Sequence, residues 1–396
     1  MFSTRAAWDL RPNRLTTLLE ERRRAALPVA DLTESNPTRV GLDYPAERIL
    51  EALGPRAALA YEPLPAGLPA ARAAVAAYYA RAGFAADPAR ICLCASTSEA
   101  YTWLFKLLCD PGAEVLVPAP CYPLFGFLAA LESVRLESYP LVYEPAGAGG
   151  GRWRIDLDAV RAAVSPRTAA IVVVNPNNPT GSFLRQDERD ALADIARASD
   201  LALVSDEVFA DYAAGADPAR VPFAAAHDDV LSFSLSGLSK IAALPQLKLG
   251  WIVTGGPAAA RDAALARLEV IADTFLSVGT PVQHAAAALL ALAPGLQRQI
   301  RARTGENRAA LAAAVSAAPA ATLLDAEGGW SAVVRFPRTL SEEELACALL
   351  AEDGVLVHPG YFFDFPGDGY LVVSLLPECE TFATAARRVA GRIARL

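Results

Sequence analysis

The chain is poor in lysine. Of its 36 Lys+Arg residues only three are lysine: Lys106, Lys240 and Lys248. Arginine keeps its proton in a protein and cannot act as a nucleophile. A lysine amine can lose its proton and condense with a carbonyl. Each remaining lysine is therefore a candidate for amine chemistry. Histidine is also scarce, and His227, His284 and His358 form no metal-binding spacing. The six cysteines are scattered through apolar segments, and Cys92 and Cys94 have no second pair to complete a metal site. They read as reduced thiols of a cytoplasmic protein. The longest apolar run, 285–293, is too short to cross a membrane. Arg5, Asp9 and Arg11 interrupt the first residues, which do not read as a signal peptide. No basic run alternates with aromatics and the net charge is −8, so neither nucleic acid nor an anionic membrane is an expected partner. The short cluster Arg22-Arg23-Arg24 follows Glu20-Glu21 and reads as a solvated helix face.

What the chain does have is size and apolar content. At 396 residues and 53% hydrophobic it can bury a large core and hold two or three domains. Hydroxyls crowd around one lysine in Ser234-Leu235-Ser236-Gly237-Leu238-Ser239-Lys240, and a strand-like run over 230–233 leads into it. Residues 1–45 form an arm, helical over 15–26 and then extended through Asp31 to Arg39. Further on, strand and helix patterns alternate. Short apolar runs at 91–95, 114–117, 134–139, 201–204, 230–233 and 250–253 read as strands, and 100–109, 156–164 and 186–199 as helices. The β-branched run 169–174 is the pattern of a parallel strand buried on both faces. Such alternation predicts an α/β doubly wound sheet. Beyond Pro281, helical stretches rich in alanine run to about 318, followed by short strands and helices of an α+β unit. The glycine-rich stretch 147–151 reads as a surface loop without a role.

Open α/β sheets bind ligands beyond the carboxyl ends of their strands. The residues that follow the predicted strands are Ser96-Thr97-Ser98, Tyr122, Asn178, Asp206, and then Ser236 and Lys240. Each alone has an ordinary structural reading: a helix cap, a packed aromatic, a turn, a surface acid. Together they describe phosphate donors at a helix N-terminus, a flat aromatic, an amide, a buried acid and an amine. That set suits pyridoxal 5'-phosphate. Lys240 would hold the aldehyde as an imine and Asp206 would pair with the protonated pyridine nitrogen. Asn178 would bond the phenolic oxygen, Tyr122 would stack on the ring, and Ser96 and Thr97 would hold the phosphate.

Over nearly its whole length the chain resembles the class I/II, fold-type I aminotransferases. The resemblance rests on Tyr61 with Gly67, Ser96 to Ala100, Asp110-Pro111-Gly112 with Pro120 to Pro123, Asn178-Pro179-Thr180-Gly181, Asp206-Glu207-Val208, and Ser239-Lys240 through Lys248-Leu249-Gly250-Trp251. It implies a fold-type I transferase: a mostly parallel sheet in a large domain plus a smaller α+β domain. The expected divisions are an arm at 1–45, a large cofactor domain at 46–280 and a small domain at 281–396. It implies amino transfer from an amino acid to a 2-oxo acid through the Lys240 imine. It also implies a homodimer with shared sites, in which Tyr61 reaches the partner's cofactor phosphate.

Three positions depart from the pattern. Phe209 stands where most members carry a tyrosine that donates to the phenolic oxygen, which should raise the pKa of the imine. Lys248 stands where most carry an arginine against the phosphate, keeping the charge and losing the bidentate fork. Val372, in Tyr370-Leu371-Val372-Val373-Ser374, falls on the position of the arginine that holds the substrate carboxylate. Arg39 is the candidate replacement, because the arm loop should fold over the site. The missing arginine keeps open an alternative reaction on the same fold, a lyase, cyclase or decarboxylase. A non-catalytic cofactor-binding regulator is disfavoured by the charge. Trp330, Tyr361, Phe362 and Phe363 could line an apolar side-chain pocket or serve as core.

Overall fold

The computed structural model describes residues 2–145, 151–221, 229–367 and 369–396. His227 and most of the 147–151 stretch lie outside the described residues. The arm carries a helix, Arg14–Arg24, and a two-residue strand β1, Ala30–Asp31.

Eight strands make the main sheet: β2 (Ile91–Cys94), β3 (Glu114–Ala119), β4 (Arg135–Glu144), β5 (Arg152–Ile155), β6 (Thr168–Val174), β7 (Ala202–Asp206), β8 (Ser232–Gly237) and β9 (Gly250–Gly255). Their spatial order is β2-β9-β8-β7-β6-β3-β4-β5. The pairs β8–β7, β7–β6, β6–β3 and β3–β4 are parallel, while β9 runs against both neighbours and β5 runs against β4. The predicted mostly parallel α/β sheet is therefore present. The run ending at Val174 sits near its centre, with Ile171 and Val172 wholly buried. Such a run folds here because both faces of a central strand are covered by helices.

Strand β8 extends four residues beyond the predicted end of its run. Ser232, Ser234 and Ser236 alternate with Phe233 and Leu235, so the polar residues share one face of a buried strand. The Ser234 hydroxyl donates to Glu207 Oε1 at 2.8 Å, so polar residues are tolerated there. Two helices absent from the expectation, Ala46–Leu53 and Ala258–Phe275, also pack on this layer.

The second layer is a four-stranded sheet of β10 (Thr322–Leu323), β11 (Ser331–Arg335), β13 (His358–Pro359) and β14 (Tyr370–Ser374), in the order β10-β11-β14-β13. The arm strand β1 pairs in parallel with β12 (Val355–Leu356), which ties the arm to this layer.

One helix, Thr280–Ser316, joins the layers without a break despite Pro294 inside it. Its first half, from Val282 to Ala293, packs with Tyr79, Ile241 and Trp251. Its last turns, Leu311 to Val315, pack with Leu371 and Phe382. Between them, Gln297 Nε2 donates to the Ile241 carbonyl at 2.9 Å, and Asn307 Nδ2 donates to the carbonyls of Leu375 and Pro377 at 2.9 and 2.7 Å.

Candidate active site

Strands β2, β3, β6, β7 and β8 all present their carboxyl ends to the same edge of the sheet. After β2 the chain enters the helix Thr97–Leu108, with Ser96 as its cap. The Ser96 hydroxyl accepts from the Glu99 amide at 3.2 Å, and the Glu99 carboxylate accepts from the Ala95 amide at 2.7 Å. This reciprocal cap fixes the first turn and leaves its amides facing the edge. Tyr122 follows β3, Asn178 follows β6, Asp206 closes β7, and Lys240 lies in the short helix Leu238–Ile241 after β8.

These residues line one cavity of about 320 Å³ together with Ser35, Thr97, Ser98, Tyr101, Phe209, Ser239, Lys248, Trp330, Ser331 and Ser374. A volume of this order suits a small cofactor and substrate. A groove of about 440 Å³ elsewhere is lined by alanines, one glycine and Arg387, and holds no comparable chemistry.

The ionisable pair in the cavity is strongly perturbed. Burial pulls the Lys240 ammonium down from 10.5 to about 8, and the nearby Asp206 charge offsets part of that. Burial pushes Asp206 up from 3.8 to about 6, against the pull of the Val208 amide, the Tyr101 hydroxyl and the Lys240 charge. The Lys240 nitrogen sits 5.0 Å from the centre of the Trp330 ring and 5.6 Å from that of Phe209. Among the described residues no side chain accepts a hydrogen bond from it. Its backbone is pinned instead: the Tyr212 hydroxyl donates to the Lys240 carbonyl at 2.7 Å. The Asp206 carboxylate accepts from the Val208 amide at 3.2 Å and from the Tyr101 hydroxyl at 3.3 Å. Lys248 adopts left-handed backbone angles, φ 53° and ψ 57°, costing a side-chain-bearing residue about 1–2 kcal/mol. Such strain concentrates at ligand-holding positions.

The family described as "Aminotransferase class I and II" has a profile that matches residues 42–385. The chain belongs to the class I and II aminotransferases. Among its relatives, this aminotransferase is 27% identical over 362 residues to the glutamate-pyruvate aminotransferase AlaA of Escherichia coli strain K12, covering 89% of this chain and 87% of the relative. It is 28% identical over 374 residues to the alanine aminotransferase of Mycobacterium tuberculosis, covering 91% and 84%. In fold it is similar to the alanine aminotransferase from Pyrococcus furiosus, with a TM-score of 0.89 at 24% identity over the whole of both chains.

Most of the expected site residues of the aminotransferase meet in the cavity: Ser96, Thr97, Tyr122, Asn178, Asp206, Lys240 and Lys248. Three do not. Ser236 lies within β8 and is buried, its hydroxyl 3.5 Å from the Glu207 carbonyl oxygen; the cavity serine is Ser239. The strand alternation that continues through Gly237 turns Ser236 to the Ser234 face. Arg39 also stands outside the cavity. It ends a 3-10 turn, Pro37–Arg39, with its side chain 74% exposed and Glu34 at 3.9 Å, and the arm residue that reaches the cavity is Ser35. Tyr61 is exposed and borders a separate cleft with Leu64, Trp103 and Leu276.

Val372 is buried among Val333, Phe363 and Phe365. Phe209 is buried against Trp330, with ring centres 5.3 Å apart. Sequence reasoning missed Tyr101, Ser35, Ser331 and Ser374 as cavity residues. Tyr101 had a signal, since it stands four residues after Thr97 on the same helix face.

Proposed function

We propose that this aminotransferase holds pyridoxal 5'-phosphate in the Lys240 cavity and moves an amino group from an amino acid to a 2-oxo acid. The observation that carries the reading is the buried Lys240 amine sharing one cavity with the buried Asp206 carboxylate. The donor set fits the cofactor. The helix N-terminus at Ser96, Thr97 and Ser98, with the Lys248 ammonium, offers amides, hydroxyls and positive charge to a phosphate. Tyr122 offers a ring face, Asn178 an amide, Asp206 a carboxylate for a pyridinium and Lys240 an amine for the aldehyde. When bound, the cofactor supplies an electron sink for the pair left at the substrate's α-carbon.

The chain's own residues do the rest. With its pKa near 8, the Lys240 amine is neutral in about a tenth of molecules at pH 7, enough to take up and return a proton. Asp206, near 6, is mostly ionised at pH 7, and a cation placed beside it lowers it again. Phe209 and Trp330 exclude water around the amine without offering it an acceptor, which leaves it free to react.

The same reading divides the chain into an arm (1–45), a large cofactor domain (46–280) and a small domain (281–396). It makes the enzyme a homodimer in the cytoplasm. Support for the dimer comes from exposed apolar side chains beside Tyr61, among them Leu59 at 88%. Support for a reducing compartment comes from the free cysteines.

Borohydride reduction of the holoenzyme followed by peptide mapping tests the site. The cofactor should be found on Lys240, and Lys240→Ala should fold yet retain no covalent adduct. An adduct on Lys106, which is paired with Glu132, or on Lys248 would sink the assignment.

A further inference from the structure

Hydroxyl groups reach the cavity from two directions. Ser96, Thr97 and Ser98 come from the edge of the main sheet, where the proposed phosphate site uses them, and Ser239 stands on the same edge next to Lys240. Ser331 and Ser374 come from the opposite wall, on β11 and β14, and the cofactor reading gives them no task. They are direct cross-strand partners. Side chains so paired stand about 4.5–5.5 Å apart at Cβ. That spacing lets two hydroxyls meet the two oxygens of one planar group.

Their hydrogen bonding leaves them available. The buried Ser374 hydroxyl oxygen accepts from the Leu376 amide at 3.3 Å, which leaves its own hydrogen to donate. The Ser331 hydroxyl donates to Asn178 Oδ1 at 3.3 Å, a long bond that a better acceptor displaces. Asn178 belongs to the main-sheet edge, so the pair faces the place where a bound amine is processed.

We propose that Ser331 and Ser374 form the subsite that anchors the polar group next to the substrate's amine, and that this uncharged anchor accepts carboxamides as well as carboxylates. The proposal rests on the amino-transfer reading above. A carboxylate accepts from both hydroxyls, whereas a carboxamide accepts from Ser374 through its carbonyl oxygen and donates its NH2 to the Ser331 oxygen, whose own hydrogen stays on Asn178. A hydroxyl favours the charged acceptor by only about tenfold, the difference between a neutral and a charge-assisted bond. The cations lining the cavity are Lys240 and Lys248, and the first is committed to amine chemistry while the second stands by the proposed phosphate site. Neither belongs to the β11–β14 wall. The substrate class is thus small primary amines with a hydrogen-bond acceptor on the adjacent carbon, α-amino acids and their amides alike.

The test uses holoenzyme and a panel of L-amino acids paired with their carboxamides, following loss of the cofactor absorbance in single turnover. Wild type should process each acid and its amide with kcat/KM within about tenfold. Ser331→Ala and Ser374→Ala should each raise KM for acid and amide by about fivefold to tenfold, with kcat and cofactor affinity little changed. Ser331→Thr should restore KM. A thousandfold preference for acids over amides would overturn the proposal, and its disappearance in Arg39→Ala would move the anchor to the arm. Wild-type KM in both serine variants would overturn it as well. If no amine of the panel bleaches the cofactor band, the amino-transfer reading itself falls; if amines bleach it but the serines do not matter, this inference alone falls.

Discussion

Replacing Lys240 with methionine should make the cofactor-free protein more stable at neutral pH, and the gain should vanish in alkali. Burial lowers the folded-state value for Lys240 from 10.5 to about 8, so keeping the ammonium inside the fold costs about 3 kcal/mol below that pH. Below pH 8 both folded and unfolded chains carry the proton, and the folded chain bears the whole penalty. Between about 8 and 10.5 the unfolded chain binds more protons, so stability rises with pH. Above 10.5 both are neutral and the penalty is gone. Methionine matches the length of the stem and carries no charge, so it removes the penalty where it exists.

The attraction of Asp206 for the ammonium is already contained in the value of about 8, so losing the cation subtracts nothing further. The net expectation is about 3 kcal/mol. At ~2.1 cal/mol/K of unfolding entropy per residue, a chain of 396 residues converts that into a rise in Tm of about 4 °C. Thermal unfolding of both proteins at matched scan rates, at pH 7 and again at pH 10.5 to 11, measures it. Equal or lower stability of Lys240→Met at pH 7, or a gain that does not change with pH, would refute the reasoning.

Two further substitutions probe the supports of the site. Tyr101→Phe removes one of the two donors to the Asp206 carboxylate, so the acid becomes easier to protonate; the acidic limb of kcat/KM should move up by about one pH unit, and an unmoved limb would reduce Tyr101 to packing. Gly181→Ala should destabilise the protein by about 2–4 kcal/mol in urea titration and weaken the cofactor, because Gly181 has φ +69° and a Cβ there collides with the Gly328 carbonyl; retention of wild-type stability would mean the turn behind Asn178 tolerates strain.

The sequence made the main sheet legible because its central strands are runs of β-branched residues, and made Lys240 legible because lysine is so rare. Both signals are local. Ser236 was misplaced because a serine-rich stretch looks like a loop, and only the pairing of β8 with β7 and β9 shows that the alternation continues. Ser35 rather than Arg39 lines the cavity for a related reason: position along the arm says that a residue is near the site but not which way it points. Ser331 and Ser374 meet only through the register of β11 on β14. No periodicity in either segment carries that register. Alanine-rich helical patterning beyond Pro281 does not show whether the chain continues through Pro294, which ordinarily ends a helix; burial of its neighbours on both sides holds Thr280–Ser316 together as one helix.

That helix acts as a ruler. Gln297 grips the turn that carries Lys240, and Asn307 grips the strand end just beyond Ser374. Ten residues of helix separate the two grips, a fixed span of about 15 Å. Pro294 lies outside that span. It lacks the amide for its own ladder bond, so it is where the rod yields when bent. A tilt between the two layers can therefore be taken up at the proline while the gauge length between amine and serine stays the same.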